Sequence, residues 1–130
     1  MNARALKSLL YVDDDADIRE IVQMSLTLEG GLTVLLCGEG EVALRKMRDE
    51  RPDLVVLDVM MPGMDGPEIL ARMRADAELA HIPVIFMTAK SDAQEVARFR
   101  RLSAIGVIAK PFDPMALGSQ VMALWKSHHD

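Results

Sequence analysis

Cysteine is almost missing from this chain of 130 residues: Cys37 stands alone, so no internal disulfide can form and a reducing cytoplasm is compatible. Positive charge is also short. The formal net charge of −5 argues against direct nucleic-acid binding, which needs a basic surface to displace phosphate counterions. Long apolar runs are lacking too. Stretches such as Ile82 to Ala89 fall far short of the roughly 18 residues that suggest a bilayer span, so no membrane segment is expected. Arg4 and Lys7 precede only the short apolar piece Leu9 to Val12, which runs into three aspartates, so a secretory signal is not expected and a cytoplasmic location is. Repeats, linkers and low-complexity tracts are absent. One domain over residues 1–130 follows, with enough apolar residues for one core.

What is present alternates between short apolar runs and helical patterns. Leu9 to Val12, Thr33 to Cys37, Leu54 to Leu57, Val84 to Met87 and Gly106 to Ala109 read as strands, with Cys37 filling the core near the end of the second. Between them lie helical spacings. Asp17 caps the first helix, whose buried face is Ile18, Ile21, Val22, Ser25 and Leu28 before Gly30-Gly31 stops it. From Glu41, Val42, Ala43, Leu44 and Met47 turn inward until Pro52. Pro67 suits the first turn of the third helix, and Ser91 with Gln94 has the spacing of a capping box for the fourth. Asp113 and Pro114 open the fifth helix, along which Leu117, Val121, Leu124 and Trp125 recur. Strand and helix recur about every 20 to 30 residues, which calls for parallel strands with right-handed helical crossovers. The fold class is therefore α/β, a three-layer sandwich with helices on both faces of the sheet.

Four of the five strands end on residues with chemistry to offer: Asp13 and Asp14, Asp58, Thr88, and Lys110. In a parallel sheet all these ends share one edge, where open α/β sheets bind their ligands. Turn signals Pro62-Gly63 and Asp65-Gly66 take the chain out of the sheet directly after Asp58. Three clustered carboxylates repel each other unless a cation joins them. Oxygen ligands with room for water suit Mg²⁺ better than zinc, with Mn²⁺ as the alternative. The histidines do not fit such a site: His81 is a lone loop residue, and His128 and His129 lie in the tail. A carboxylate, a metal, a lysine and a hydroxyl equip a site for phosphoryl transfer, with Asp58 as nucleophile.

The pieces LLYVDDD at 9 to 15, VVLDVMMPGMDG at 55 to 66, FMTA at 86 to 89 and GVIAKPF at 106 to 112 occur in that order over nearly the whole chain. In this the sequence resembles the receiver domain of two-component response regulators. The resemblance implies a flavodoxin-like sheet of order 2-1-3-4-5 with five helices. It implies that Asp58 is the phosphoacceptor and that Asp13 and Asp14 hold Mg²⁺ together with Asp58 and the main-chain carbonyl of Met60. Thr88 becomes the switch hydroxyl, Lys110 the phosphate-contacting lysine, and the Lys110-Pro111 bond cis. The implied phosphodonor is a histidine kinase or a histidine phosphotransfer protein, and the output goes to a downstream protein that the sequence does not identify.

Two positions depart from the family's pattern. Val107 stands where an aromatic residue is frequent, which removes the usual aromatic rotamer switch. Ser103 stands where many receivers have glycine, so a different end to the fourth helix is expected, because serine enters a left-handed conformation less readily. The expected role is that of a signalling domain that promotes its own phosphorylation and dephosphorylation, not an enzyme with external turnover. A module belonging to a longer hybrid kinase or regulator is the alternative. An aspartyl-phosphate phosphatase is disfavoured, since it needs a second acid where Met60 lies. A flavin carrier is disfavoured by three aspartates where a phosphate loop would have to be.

Overall fold

Each strand and each helix has a local cause. The computed structural model describes residues 5–129, so Arg4 lies outside the described residues. In chain order the elements are β1 (Ser8–Val12), α1 (Ala16–Thr27), β2 (Thr33–Cys37), α2 (Gly40–Glu50), β3 (Leu54–Asp58), α3 (Gly66–Ala75), β4 (Val84–Thr88), α4 (Ala93–Arg101), β5 (Gly106–Ala109) and α5 (Leu117–His129). The strands form one parallel sheet in the order β2-β1-β3-β4-β5. Both the three-layer sandwich and the implied strand order are thereby observed. The Lys110-Pro111 bond is cis.

The continuous apolar runs are explained by burial on both sides of the sheet. Successive residues of a strand point to opposite faces. Leu10, Val12, Val55, Leu57, Val84 and Phe86 pack beneath α2, α3 and α4 with Ala43, Met47, Ile69 and Phe99. Leu9, Tyr11, Leu54, Val56, Ile85 and Met87 pack beneath α1 and α5 with Val22, Leu26, Val121 and Trp125. Cys37 is buried, as expected of a core-filling residue. No helix among the described residues is long and apolar enough to cross a membrane.

Several boundaries differ from the sequence expectations, each for a physical reason. Asp15, not Asp17, caps α1, accepting from the amides of Asp17 and Ile18 at 2.9 and 3.3 Å. Asp17 already lies in the first turn, where its charge meets the positive end of the helix dipole. The buried face of α1 is Val22, Ser25 and Leu26, whereas Ile21 and Leu28 are exposed. Leu28 sits past the last helical residue, so the spacing that selected it no longer applies. Asp92, not Ser91, caps α4 by accepting from the Glu95 amide at 3.0 Å. The Asp92/Glu95 pair has the same spacing as Ser91/Gln94, moved by one, and it supplies the stronger acceptor. Gly40 rather than Glu41 starts α2, and Val42 is only half-buried. The fifth helix starts at Leu117, because residues 113–116 form a turn in which Asp113 accepts from the Met115 amide at 2.9 Å.

The end of α4 also corrects an expectation. Ser103 adopts the left-handed conformation, with φ of 75°, so the ordinary helix ending is kept. Arg74 holds it there: its Nε donates to Ser103 Oγ at 2.8 Å, and its Nη1 donates to the carbonyls of Ala80 and Ile82 at 3.1 and 2.8 Å. One half-buried guanidinium thus ties the end of α3 to the turns before β4 and β5. The histidines are also less scattered than expected. His81, His128 and His129 border one recess at the amino edge of the sheet, where His129 stacks on Trp125 at 3.9 Å.

Candidate functional site

Register brings the strand ends together. Val12 pairs with Leu57, so Asp13 emerges beside Asp58. On the other side Asp58 pairs with Met87 and Thr88 with Ala109, which sets Thr88 and Lys110 along the same carboxyl edge. The Lys110 amide donates to the Thr88 carbonyl at 2.8 Å, which fixes the start of the lysine's stem. From there Lys110 Nζ reaches both acids, donating to Asp58 Oδ1 at 3.0 Å and to Asp13 Oδ2 at 3.1 Å. Asp13 and Asp58 are buried, whereas Asp14 is exposed. One carboxylate oxygen from each of the three lies within 4.8 Å of the others.

Asp13 is the most firmly held of the three. Its Oδ2 also accepts from the Tyr11 hydroxyl at 2.6 Å, its Oδ1 from the Asp15 amide at 3.0 Å, and its carbonyl from Arg19 Nη1 at 2.6 Å. Burial, then the bond to Asp13 and the charge of that acid, raise the Tyr11 phenol far above the ordinary tyrosine value. Tyr11 is therefore a donor throughout the pH range of a folded protein.

The charges around Asp58 do not balance. Burial raises its pKa; the Lys110 hydrogen bond opposes this, but the charges of Asp13 and Asp14 add to the rise, and the net direction is upward. For Lys110, burial acts downward, and the bonds to Asp58 and Asp13 outweigh it. An exposed ion pair would lower its acid and raise its base; here both rise, because Asp58 is buried and two further acids stand beside it. An all-oxygen set with one member open to water suits a hard divalent cation. Asp13, Asp14 and Asp58 thus fit Mg²⁺ by their chemistry and by their spacing.

Thr88 is buried, and its hydroxyl oxygen accepts from the Lys90 amide at 3.0 Å. Met60 is 78 % exposed, so its side chain faces solvent. Val107 is half-buried against the cluster under α2, α3 and α4. Beside Thr88 a recess is bordered by Met60, Lys90, Glu95 and Arg98. Glu95, which the sequence reading did not single out, is the one acid there, and it pairs with Arg98 at 3.3 Å. Tyr11 was also missed. The signal existed, because residues two apart on a strand share a face and Tyr11 precedes Asp13 by two.

A parallel doubly wound sheet with an acidic, lysine-bridged cluster at its carboxyl edge belongs to the class of open α/β domains that bind their ligands at that edge. Comparison narrows the class. Residues 9–122 match the pattern of the response regulator receiver domain, and the chain belongs to that family, whose members are signalling domains of two-component systems. It is 38% identical over 122 residues to the DNA-binding response regulator MtrA of Mycolicibacterium paratuberculosis, covering 94% of this chain and 52% of the relative. It is 37% identical to the transcriptional regulatory protein AfsQ1 of Streptomyces coelicolor, covering 92% of this chain and 51% of that one. The chain spans about half the length of the curated relatives it matches. Among solved structures, the chemotaxis protein CheY4 of Vibrio cholerae superposes with a TM-score of 0.83 at 28% identity, covering 92% of this chain and 99% of that one.

Proposed function

We propose that this receiver accepts a phosphoryl group on Asp58 from the phosphohistidine of a histidine kinase or phosphotransfer protein, in a Mg²⁺-dependent step. The observation that carries this reading is the ammonium of Lys110 shared between buried Asp13 and Asp58, with Asp14 completing the acidic cluster. Asp13, Asp14, Asp58 and the Met60 carbonyl would hold the metal. When bound, the cation supplies charge neutralisation at the phosphoryl oxygens. Asp58 provides the attacking carboxylate oxygen: a P–O bond forms to it as the P–N bond of the donor breaks, and the imidazole leaves with the electron pair. Lys110 turns an N–H toward one phosphoryl oxygen, and the Thr88 hydroxyl donates to another. The same groups, with water in place of imidazole, would serve dephosphorylation.

A protein donor is favoured by an apolar groove next to Lys110, bordered by Ile18, Ile21, Phe112 and Pro114. The net charge of −5 favours a protein as the downstream target. A single, buried cysteine is in keeping with work in the cytoplasm. The DNA-binding and transcriptional roles named for the relatives belong to proteins about twice as long as the matched region.

Intact-mass measurement with a small phosphodonor tests the reading without knowledge of a partner. One phosphoryl group is expected with Mg²⁺ and none with a chelator. No mass gain in Mg²⁺, or a gain that the chelator leaves unchanged, would sink it.

The role of Asp14 has its own test. Replacing this exposed acid by alanine removes a ligand and also relieves repulsion in the metal-free site. Asp14→Ala is expected to weaken Mg²⁺ binding by more than about tenfold, the lower range seen even for outer partners of a ligand. The metal-free melting temperature should be equal or higher. An unchanged Mg²⁺ titration would remove Asp14 from the site.

A further inference from the structure

Tyr11 is the single tyrosine of the chain and is fully buried in the layer beneath α1 and α5. Its neighbours along β1 are aliphatic, so an aliphatic residue would satisfy the core there. A phenol in such a place needs a partner for its hydroxyl. The partner is not a backbone carbonyl but Asp13 Oδ2, at 2.6 Å, with Met87 Sδ at 3.5 Å on the other side. Asp13 Oδ2 is the same oxygen that Lys110 contacts.

We propose that Tyr11 is a positioning residue of the metal site, whose hydroxyl fixes the Asp13 carboxylate in the orientation that binds Mg²⁺. The inference rests on the reading of the site given above and deepens it. The geometry separates the two donors to Asp13 by their freedom to move. Lys110 is shared with Asp58 and stands on a long, partly exposed stem. Tyr11 has a rigid ring locked in the core, and its bond to Asp13 does not depend on Asp58. The Asp15 amide holds the other oxygen, so the carboxylate is fixed at both ends without Lys110. Partners behind a metal ligand orient it in this way and set its affinity. When Lys110 turns toward a phosphoryl group, Asp13 keeps two hydrogen bonds and does not become a buried carboxylate without donors.

Tyr11→Phe keeps the ring and removes only the donor. The expected result is about tenfold weaker Mg²⁺ binding by calorimetry. A second measurement uses the unsubstituted chain. Its lone Tyr11 gives one phenol Cζ carbon resonance, which is expected to move when Mg²⁺ is added, because the metal draws charge from the carboxylate that the hydroxyl contacts. A purely packing role would change the melting temperature alone. Mg²⁺ affinity that is the same in both chains, or a Cζ resonance that Mg²⁺ leaves in place, overturns the inference; should the variant not fold, the resonance decides. Absence of Mg²⁺ binding by the unsubstituted chain is a separate outcome, and it overturns the reading of the site together with the inference.

Discussion

An Asp58→Asn chain is expected to take up no phosphoryl group and, in chelator at neutral pH, to melt at a higher temperature than the unsubstituted chain. The first effect follows from the loss of the carboxylate proposed as nucleophile, at a position that no other acid shares. The second follows from the burial of Asp58 and from the acids beside it. In the folded state Asp58 is raised above its ordinary value near 3.8, first by burial and then by Asp13 and Asp14 against the opposition of Lys110. The folded chain therefore binds this proton more tightly than the unfolded one. Stability from this group is full below the ordinary value and is lost as pH rises through the raised one. At neutral pH the ionised Asp58 is a net cost in the absence of metal. Asparagine removes the charge and still offers an oxygen to Lys110. The gain should shrink as pH falls toward the ordinary carboxylate range. Lys110 follows the same sign at much higher pH: its pKa is also raised, so its stabilisation is present through neutral pH and is lost only in alkali. Melting curves of both chains across acid and neutral pH check this. A neutral-pH melting temperature below that of the unsubstituted chain would show that the Lys110 pair outweighs burial and repulsion.

Gly66→Ala should damage stability and phosphoryl uptake together. A Cβ at Gly66 would lie 2.6 Å from the Asp58 carbonyl oxygen and 3.1 Å from both Val59 Cα and Phe86 Cε1. Two of these three are backbone atoms, so no side-chain rotation relieves the clash. The Gly66 amide also donates to the Val59 carbonyl at 3.1 Å, closing the loop on the segment that carries Asp58. Forcing a methyl group into a packed site costs about 1–3 kcal/mol, which is several degrees of melting temperature for a domain of this size. Relief must come from moving Asp58 or its neighbour, so the Asp58 carboxylate leaves its position opposite Lys110. Gly106→Ala is a useful contrast, because its Cβ would meet only the side chain of Leu124, away from the acidic cluster. A Gly66→Ala chain with wild-type melting and wild-type phosphoryl uptake would contradict this account.

The strand ends were legible in the sequence because two signals coincide there: unbroken apolar runs and the turn residues after them. Asp13, Asp58, Thr88 and Lys110 could be assigned to one edge from parallel topology alone, and the structure brings Lys110 into contact with the first two. Tyr11 was hidden because inside an apolar run its ring counts as core and its hydroxyl has no visible partner. Capping was hidden by redundancy. Asp15 and Asp17, or Ser91 and Asp92, offer competing acceptors a residue or two apart, and backbone geometry chooses between them. Leu26 and Leu28 differ in burial because Leu26 lies on the buried face of α1 whereas Leu28 lies past the end of the helix, a boundary that the spacing does not mark. Ser103 could not be read locally at all. The residue that keeps it left-handed, Arg74, is 29 positions away.

The bond between Lys110 and Asp13 spans 97 positions, and those two residues stand just past the first and the last strand. Loop closure over such a distance is paid only when the strands between are in place. During synthesis the acidic half of the cluster leaves the ribosome long before the lysine does. A nascent chain therefore carries the aspartates without the ammonium that binds them together.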